Sequence, residues 1–357
     1  MLFATGFRAP DAFACLEWDG RRAILLNDLE IDRGRRDARV DEVVSFSELE
    51  GRLRGKKKKP VPPAKVFAAF LRERGVKRTE VPADFPLGLA RALRKEGVRV
   101  RPAKGPLFPE RAIKSREQAR HIAAACRVAE AGMARAIEVL AASKPRRDGV
   151  LIWSRRVLTA EALRAEIEIA IVRAGGEARQ DSIVACGELA CDPHERGHGP
   201  LLANRLIILD IFPRTASTGF YGDITRTVVR GKATPDQARL WQTCLDAQKA
   251  ALAAMVPGAE GLALQNHTRA FFAEAGFPTE ISDGRWRGFF HGLGHGLGLE
   301  VHESPRLAAA TLVPGQVFTV EPGLYWPGVG GVRHEDVVQL TATGCRPLTK
   351  FPKPFEI

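Results

Sequence analysis

The chain has 357 residues, of which 45% are hydrophobic and 27% are charged, and its formal net charge is +12. This length allows two domains and a large core, and the composition excludes a disordered or fibrous chain. No apolar run reaches about 18 residues, as a membrane-spanning helix would, and no basic segment precedes the first apolar residues, as in a signal peptide. A cytoplasmic protein without a membrane partner is therefore expected.

The cysteines and the positive charge further restrict the kind of protein and the partners that we expect. Six cysteines are scattered along the chain without a CxxC pair, so we expect reduced thiols rather than a disulfide framework or a zinc site. Residues 1–110 carry +8 of the net charge, much of it in the basic run RLRGKKKK at 52–59. Such a run can bind nucleic acid, but no aromatic residues interleave it for base stacking. A solvated loop is the preferred interpretation, and nucleic acid is not an expected partner.

The N-terminal segment predicts a small α/β domain over residues 1–106. AFACLEW and RAILLN predict two strands around a turn at Asp19–Gly20, and AKVFAAFLRERG predicts an amphipathic helix that stops at Gly75. No phosphate-binding glycine loop, histidine or carboxylate cluster occurs there, so no chemistry is expected in this domain. A Pro/Gly-punctuated linker at 102–109 leads to a second domain over residues 110–357.

Four longer helices are predicted in the second domain. Ser115 and Thr159 are suitable N-caps for the first two, and Thr234 followed by Pro235 begins the third. The fourth, LALQNHTRAFFAEAG, ends at Gly276. The segments between these helices predict strands, so the second domain mixes both kinds of element.

A first pair of strands delivers two aspartates. LLANRLIILD is a continuous apolar strand that ends at Asp210, and YGDITRTVVRG is an alternating strand that carries Asp223. A turn centred at Ala216–Ser217 would set the two carboxylates directly opposite each other, where like charges repel. A divalent cation between them would reverse the sign of that interaction.

A second predicted hairpin repeats the arrangement with glutamates. QVFTVEPGLYWPGVGGVRHEDVVQL reads as strand, Pro/Gly turn and strand, and a turn centred on Gly328 sets Glu321 opposite Glu335. For any one carboxylate, a strand end facing water is the simpler interpretation. Four buried carboxylates beside His295 would instead require a compensating charge.

The stretch HGLGHGLGLEVHE, residues 291–303, holds three of the eight histidines. Four glycines in seven residues disfavour a helix, so a strand is predicted, with His295 on one face and bare backbone on the other. The alternative is a glycine-rich turn with incidental histidines. Four carboxylates and one imidazole suit two divalent cations, Mn²⁺ first and Co²⁺ or Zn²⁺ as alternatives. Two such ions can activate a shared water for hydrolysis.

Five residues carry a family resemblance, because they match in order the ligand set of the M24 metallopeptidases: Asp210, Asp223, His295, Glu321 and Glu335. The flanking motifs GDITRT, GHGLGLEVHE, EPGLY and GVRHED extend the resemblance over about residues 110–350. It implies an α+β fold, with a pita-bread catalytic domain and a smaller creatinase-like α/β N-terminal domain, and a homodimer. FATGFRAPDAF resembles the N-terminal domain of the Xaa-Pro aminopeptidase and prolidase branch.

The resemblance also implies a role for each ligand. Asp210 would hold one metal ion, and Asp223 and Glu335 would bridge two. His295 and Glu321 would complete the second ion, with Glu321 also acting as the general base for a bridging water. The implied activity is a dinuclear metal-dependent exopeptidase that hydrolyses the N-terminal Xaa-Pro bond of a peptide or an Xaa-Pro dipeptide.

Four further residues match functional positions of the family. His302 and His194 match positions that stabilise the tetrahedral intermediate or pass a proton to the leaving amine, and His198 competes with His194 for that role. His291 matches a position that contacts substrate at the scissile bond. Arg333 matches one that fixes either substrate or a neighbouring ligand.

Three positions carry structural expectations. His302 is out of phase with His295 in a strand, so it reaches the site only if the chain turns after Leu299. His334 would point away from its two neighbours and is expected to be structural. Tyr325 lies beside a hairpin and is expected to pack rather than to act.

Departures from the family pattern leave rival interpretations open. Asp210 is followed by IFPR rather than by glycine, and the N-terminal domain starts where the family already has one strand and one helix, so it is either trimmed or read from a misassigned start. One rival function is a non-peptidase on this fold, a creatinase-like amidinohydrolase or a binding module, which lost ligands would mark. The other is nucleic-acid or ribosome association through Lys56–Lys59.

Overall fold

The computed structural model describes residues 1–56 and 59–357, so Lys57 and Lys58 of the basic run lie outside the described residues. The chain forms two compact units, Met1–Arg111 and Ala112–Ile357. Across the described ranges, none of the helices is both long and apolar enough to cross a membrane.

The first unit is an α/β assembly with its own apolar core. Its elements, in chain order, are α1 Leu2–Thr5, β1 Ala14–Trp18, β2 Arg21–Leu26, α2 Ile31–Asp37, β3 Glu42–Ser45, α3 Phe46–Arg54, α4 Pro63–Arg72, β4 Arg78–Val81, α5 Leu87–Lys95 and β5 Arg99–Pro102. β1 and β2 are antiparallel around the predicted turn at Asp19–Gly20, whereas β2 pairs in parallel with β3, and β4 with β5. The predicted hairpin and the helix before Gly75 are both confirmed.

The second unit contains the four predicted helices, α6 Arg116–Ala142, α7 Ala160–Arg173, α8 Pro235–Ala254 and α9 Gly261–Glu274. Ser115 and Thr234 each close a capping box, and the Thr159 hydroxyl accepts from the Ala162 amide. These contacts satisfy amides at helix starts that would otherwise lack partners, which is why the sequence signals located the helices.

Short strands connect these helices. They are β6 Lys144–Pro145, β7 Leu151–Trp153, β8 Arg156–Val157, β9 Ile183–Cys186, β10 Leu206–Ile211, β11 Ile224–Val229, β12 Glu280–Ser282, β13 Arg285–Arg287, β14 His295–Gly296, β15 Glu303–Arg306, β16 Val317–Val320, β17 Gly323–Trp326, β18 Gly330–Arg333, β19 Asp336–Leu340 and β20 Cys345–Pro347. Short 3₁₀ turns occur at Pro109–Ala112, Gly187–Cys191 and Leu307–Ala309.

Two sheets of this unit matter for the site. One has the order β11-β10-β9 and the other β15-β14-β16-β19-β20. Every residue of β10 and β11 is buried, because apolar residues of α6 and α7 pack with their side chains in one core, and α8, α9 and β16 contribute to a second. Burial of these strands explains their continuous apolar sequence. It also leaves the carboxylates at their ends largely out of water.

The first predicted hairpin is shifted by two residues in its pairing. Asp210 pairs with Thr225 rather than with Asp223. The turn lies one residue later in the sequence than predicted. The Thr215 amide donates to Phe220 O at 2.9 Å, so the loop is centred at Ser217–Thr218. Because the shift is an even number of residues, Asp210 and Asp223 still lie on the same face of the sheet.

The second hairpin has the predicted register. β17 pairs with β18 so that Gly323 faces Arg333, and β16 pairs with β19 so that Val320 faces Asp336. Both ladders share one register, centred on Gly328, whose φ of 86° fits a glycine at the tip. The same register sets Glu321 opposite Glu335 between the two ladders.

The glycine-rich stretch forms much less strand than predicted. Only His295–Gly296 is regular, and the pairing shifts between these two residues. A Cβ atom on Gly294 would lie 2.0 Å from Thr319 O, and one on Gly296 would lie 2.5 Å from Glu303 O. The bare backbone face is therefore filled by neighbouring backbone, and the glycines are needed for that close approach.

Candidate metal centre

The five predicted ligands lie at or next to strand ends of the two sheets. Asp210 lies near the end of β10, Asp223 precedes β11, His295 begins β14, Glu321 follows β16 and Glu335 precedes β19. An antiparallel bridge between Thr225 and Glu335 joins the sheets, with the Glu335 amide donating to Thr225 O at 3.1 Å. Residues more than 100 positions apart are thereby brought to one buried site.

The ligand atoms converge within one small space. Asp223, His295 and Glu335 each offer an atom, and these atoms all lie within 4.8 Å of one another. His295 Nε2 is 3.3 Å from Glu321 Oε1 and 3.8 Å from Asp223 Oδ2. Asp210 is close enough for its charge to raise the pKa of Asp223, Glu321 and Glu335. The structure thus brings together all five residues selected from the sequence.

The donor set fits a divalent cation. Within the described residues, the buried oxygens Asp210 Oδ1 and Asp223 Oδ1 have no hydrogen-bond partner, and Asp223 is only 3% exposed. Unpartnered buried carboxylate oxygens are costly, and a cation would supply the missing partner. Four carboxylates and one imidazole are hard and intermediate donors of the kind that bind Mn²⁺, Co²⁺ or Zn²⁺.

Burial and mutual repulsion control the carboxyl groups. Burial, and then the charges of neighbouring carboxylates, hold the pKa of Asp223 and of Glu335 well above their ordinary values. Burial raises the pKa of Glu321 to about 7, a rise that Arg333 opposes and Asp210 increases. Without a cation the site therefore tends to retain protons, which a bound metal ion would displace.

His295 is held in the form that can ligate a metal. Burial lowers its pKa to about 3, and the charge of His302 adds to the effect, so the imidazole is neutral near pH 7. Its Nδ1 lies 3.2 Å from Gly296 O. Because a carbonyl can only accept, Nδ1 carries the proton, and the lone pair of Nε2 faces Asp223 and Glu321.

The pKa shifts predict how the metal-free protein responds to pH. A carboxyl group with a raised folded-state pKa binds more protons in the folded protein than in the unfolded chain, so stability is lost as the pH rises through that pKa. Glu321, with a pKa of about 7, and Asp223 and Glu335, whose pKa values are also raised, all act in this direction. The buried histidines act in the opposite direction, but only below their ordinary value of 6.5.

The melting temperature of chelated protein should consequently fall as the pH rises from about 6.5 to about 8. Added Mn²⁺ should raise the melting temperature by an amount that grows over the same range, since metal binding no longer has to displace protons. Differential scanning fluorimetry with and without chelator measures both quantities. A melting temperature of the chelated protein that rises across this range would contradict the arrangement of charges.

A hydrogen-bonded chain leads from Asp210 to His291. Arg333 Nη2 donates to Asp210 Oδ2 at 2.7 Å, and Arg333 Nη1 donates to the Tyr325 hydroxyl at 2.8 Å. The Tyr325 hydroxyl lies 2.8 Å from His291 Nε2, while His291 Nδ1 lies 2.8 Å from Gly292 O. The carbonyl fixes the proton on Nδ1, so Tyr325 donates to Nε2. Burial, reinforced by Arg333, lowers the pKa of His291 to about 3.

These hydrogen bonds between Asp210 and His291 correct one expectation and refine another. The expectation that Tyr325 packs rather than acts is wrong, because its hydroxyl connects His291 with Arg333. Arg333 was left with two alternatives, and its bond to Asp210 favours the one in which it fixes a neighbouring predicted ligand. Burial is the main cause that raises the pKa of the Tyr325 hydroxyl, so the group remains a donor at neutral pH.

The two remaining predicted histidines interact electrostatically with residues of the site. The chain turns after Leu299, and the ring of His302 packs edge-on against that of His295, with 4.3 Å between centroids. His302 has a lowered pKa, chiefly through burial, with the charges of Arg306 and His194 adding to the shift. His194 also lowers the pKa of His291. These electrostatic interactions favour His194 over His198 for the predicted role.

His334 lies away from these groups, as expected. Its ring is fully buried and packs edge-on against Trp241 at 4.8 Å between centroids. Its backbone carbonyl accepts from Gln248 Nε2 at 3.0 Å. The residue is therefore part of the core behind the site.

Two threonines that donate hydrogen bonds to predicted ligands were missed in the sequence. The Thr225 hydroxyl donates to Glu335 Oε2 at 2.7 Å, and the Thr319 hydroxyl donates to Glu321 Oε1 at 3.2 Å. Each stands two residues from a ligand on the same strand, Thr225 after Asp223 and Thr319 before Glu321. Strand alternation puts such residues on one face, so this spacing was a usable signal.

Comparison with known proteins agrees with the site. The model of metallopeptidase family M24 matches residues 120–342. The chain is 31% identical over 290 residues to an Xaa-Pro dipeptidase of Pyrococcus horikoshii, covering 77% of this chain and 74% of that protein. It is 33% identical over 252 residues to an Xaa-Pro dipeptidase of Pyrococcus furiosus, covering 67% of this chain and 64% of the relative, slightly under two thirds.

A solved structure extends the similarity to nearly the whole chain. The prolidase from Pyrococcus horikoshii OT3 superimposes with a TM-score of 0.80 at 27% identity, covering 99% of this chain and 91% of that one. The mixed helices and sheets described above agree with the α+β pita-bread architecture expected from the motifs. With a family match over more than half of its length, the chain belongs to metallopeptidase family M24, as a peptidase of the prolidase-like branch with the pita-bread fold.

Proposed function

We propose that this protein is a dinuclear metal-dependent exopeptidase that hydrolyses the N-terminal Xaa-Pro peptide bond. The observation that carries the proposal is the buried cluster of four carboxylates and one neutral imidazole, in which Asp210 Oδ1 and Asp223 Oδ1 lack partners among the described residues. The relatives named Xaa-Pro dipeptidase and prolidase support the choice of substrate.

The five proposed ligands would divide between two cations. Asp210 would hold the first, Asp223 and Glu335 would bridge both, and His295 with Glu321 would complete the second. Two divalent cations would lower the pKa of a water that they share and polarise the scissile carbonyl. Mn²⁺ is the first choice for a site dominated by carboxylates, and Co²⁺ or Zn²⁺ also suits the imidazole.

Glu321 is the proposed general base. Its carboxylate lies beside His295 and is oriented by the Thr319 hydroxyl. A general base must lie within hydrogen-bond reach of the proton that it abstracts, and a carboxylate in the ligand cluster would meet that condition for a water held there. Glu321 would take a proton from the attacking water and release it toward the leaving amine.

The histidines would stabilise charge and deliver the proton. His302, which packs against His295, can donate a hydrogen bond to the oxyanion of the tetrahedral intermediate. His194, on the exposed loop after the 3₁₀ turn Gly187–Cys191, would share the transfer of a proton to the proline nitrogen. His291 would contact the peptide at the scissile bond, held by Tyr325 and through it by Arg333.

A rival function on the same fold is less well supported. A creatinase-like amidinohydrolase or a binding module would not need five metal ligands, and none of the five is missing from this chain. A polyanion partner is favoured by the lysine run and by the net charge of +12. Substituting Lys56–Lys59 with alanine should leave peptidase activity intact, and polyanion binding that persists in this variant would eliminate the run as its cause.

The remaining expectations stay predictions. A homodimer and a cytoplasmic location follow from the resemblance and the composition, and the division into an N-terminal domain over residues 1–106 and a catalytic domain over residues 110–357 is our proposed domain organisation. Size-exclusion chromatography with light scattering measures the first of these. A monomer at micromolar concentration would contradict it.

The test of the proposed function is a side-by-side substrate assay. Xaa-Pro dipeptides, Xaa-Pro-Yaa tripeptides and matched Xaa-Ala peptides are incubated with protein loaded with Mn²⁺, Co²⁺ or Zn²⁺. We expect cleavage of at least one Xaa-Pro class, with kcat/KM at least about tenfold above that for Xaa-Ala. Equal cleavage of both classes would exclude proline selectivity, and hydrolysis of creatine but of no peptide would favour the rival function.

A further inference from the structure

A buried ion pair lies next to the site but takes no part in the proposed chemistry. Lys114 Nζ donates to Glu303 Oε1, and the two side chains are only 3% and 4% exposed. Lys114 lies just before α6, and Glu303 directly follows His302 at the start of β15. The pair thus joins the beginning of the second unit to the segment that carries a proposed catalytic histidine.

Glu303 shapes the turn that His302 needs. Its second oxygen, Oε2, accepts from the Leu299 amide at 3.1 Å, so one carboxylate bridges the two ends of segment 299–303. A Cβ atom on Gly298 would lie 2.3 Å from Glu303 Oε1, so the glycine leaves room for that carboxylate. The backbone turns after Leu299, and this turn brings His302 against His295. The Glu303 side chain holds the two ends of the turn together.

Lys114 is itself fixed at the backbone. Its amide donates to Gly315 O at 2.8 Å, which ties it to the turn just before β16, the strand that Glu321 directly follows. Removing one member of a buried ion pair is destabilising, because it takes away the charge that compensates the other member. A pair that is costly to bury and strict in geometry is well suited to hold one conformation of the turn.

We propose that Lys114 and Glu303 form a positioning pair that fixes His302 against His295 by closing the 299–303 turn. The role rests on the proposed function of His302, but the geometry of the turn does not. An apolar pair of similar volume can often replace a buried ion pair without loss of stability. An apolar pair cannot accept a hydrogen bond from the Leu299 amide. The contribution of the pair to packing can therefore be separated from its contribution to positioning the turn.

The test compares Lys114→Met/Glu303→Leu with the single variants and with Lys114→Arg. We expect the double variant to melt close to the parent and to retain its metal content, while kcat falls at least tenfold and KM changes less than threefold. Lys114→Arg, which keeps the positive charge, should retain most of the activity of the parent protein. The matched control is Asp246→Leu/Lys249→Met, which removes a surface ion pair on α8 and should change nothing.

Hydrogen exchange gives a readout that does not need activity. Amide exchange in a peptide covering 297–304 should be at least tenfold faster in the folded double variant, with no change in peptides from α8. A double variant with parental kcat and parental exchange would show that the pair only fills space and would overturn the inference. If the parent hydrolyses no peptide, the proposed function fails, and the exchange measurement alone still decides the role of the pair.

Discussion

Replacing Asp223 by alanine should abolish activity and reduce the bound metal from about two ions per chain to one or none. Asp223 is proposed to bridge both ions, and its Oδ1 has no partner among the described residues. Loss of metal-ion catalysis removes several kcal/mol of transition-state stabilisation, so kcat/KM should fall at least about 1000-fold. Metal analysis by plasma mass spectrometry and proline release from an Xaa-Pro dipeptide measure the two effects.

The stability of Asp223→Ala distinguishes a ligand from a structural residue. In the metal-free protein, burial and the neighbouring Glu335 oppose ionisation of Asp223. Removing the carboxylate should leave the metal-free variant at least as stable as the metal-free parent, while Mn²⁺ should no longer raise its melting temperature. Asp246→Ala on the surface of α8 is the matched control. A destabilised variant that still binds about two ions would contradict the bridging role.

Glu321→Gln should lower kcat by about 100-fold to 10,000-fold, which is the usual contribution of a general base. Glutamine has the same shape and can still accept the Thr319 hydroxyl. It retains an oxygen that can ligate metal but has no useful basicity. Steady-state kinetics with metal at saturation separate the two roles, because a ligand defect is corrected by excess Mn²⁺ and a missing base is not.

The control for Glu321→Gln is Glu274→Gln, at the exposed end of α9. This change should leave kcat and KM unaltered. If Glu321→Gln instead kept kcat within threefold of the parent at saturating metal, Glu321 could not be the base. His302 would then be the first residue to examine, since its ring packs against that of His295.

Local signals in the sequence were sufficient for one of the two hairpins that carry predicted ligands. The Pro/Gly turn around Gly328 leaves few ways to close, so the predicted register between Glu321 and Glu335 is the observed one. The loop between Asp210 and Asp223 is rich in serine and threonine, whose side chains allow several closures. The prediction there was wrong by one residue at the turn, yet the even shift in pairing preserved the shared face.

The glycine-rich stretch shows where periodicity is not enough. Alternation predicted a strand through Leu299. In the structure, only His295 and Gly296 of this stretch form a strand, and the backbone turns further on. Glycines at 294 and 296 are explained by backbone from other segments lying where a Cβ would be. That cause lies in the tertiary structure and leaves no pattern in the local sequence.

Contacts between residues far apart in the sequence could also not be predicted from the sequence. Tyr325 acts through hydroxyl contacts with His291 and Arg333 that depend on how two ladders meet. Lys114 and Glu303 stand 189 positions apart and give no local sign of pairing. Single-sequence reasoning finds residue types and spacings, whereas such partners follow only from the folded arrangement.

The most direct measurement is a metal titration of chelated protein, with proline release from an Xaa-Pro dipeptide followed at each step. We expect no release without metal and a rise with added Mn²⁺ that reaches a plateau near two bound ions per chain, about the number that four carboxylates and one histidine can hold. Full activity in chelated protein, or no activity with Mn²⁺, Co²⁺ or Zn²⁺, would contradict a metal-dependent Xaa-Pro peptidase.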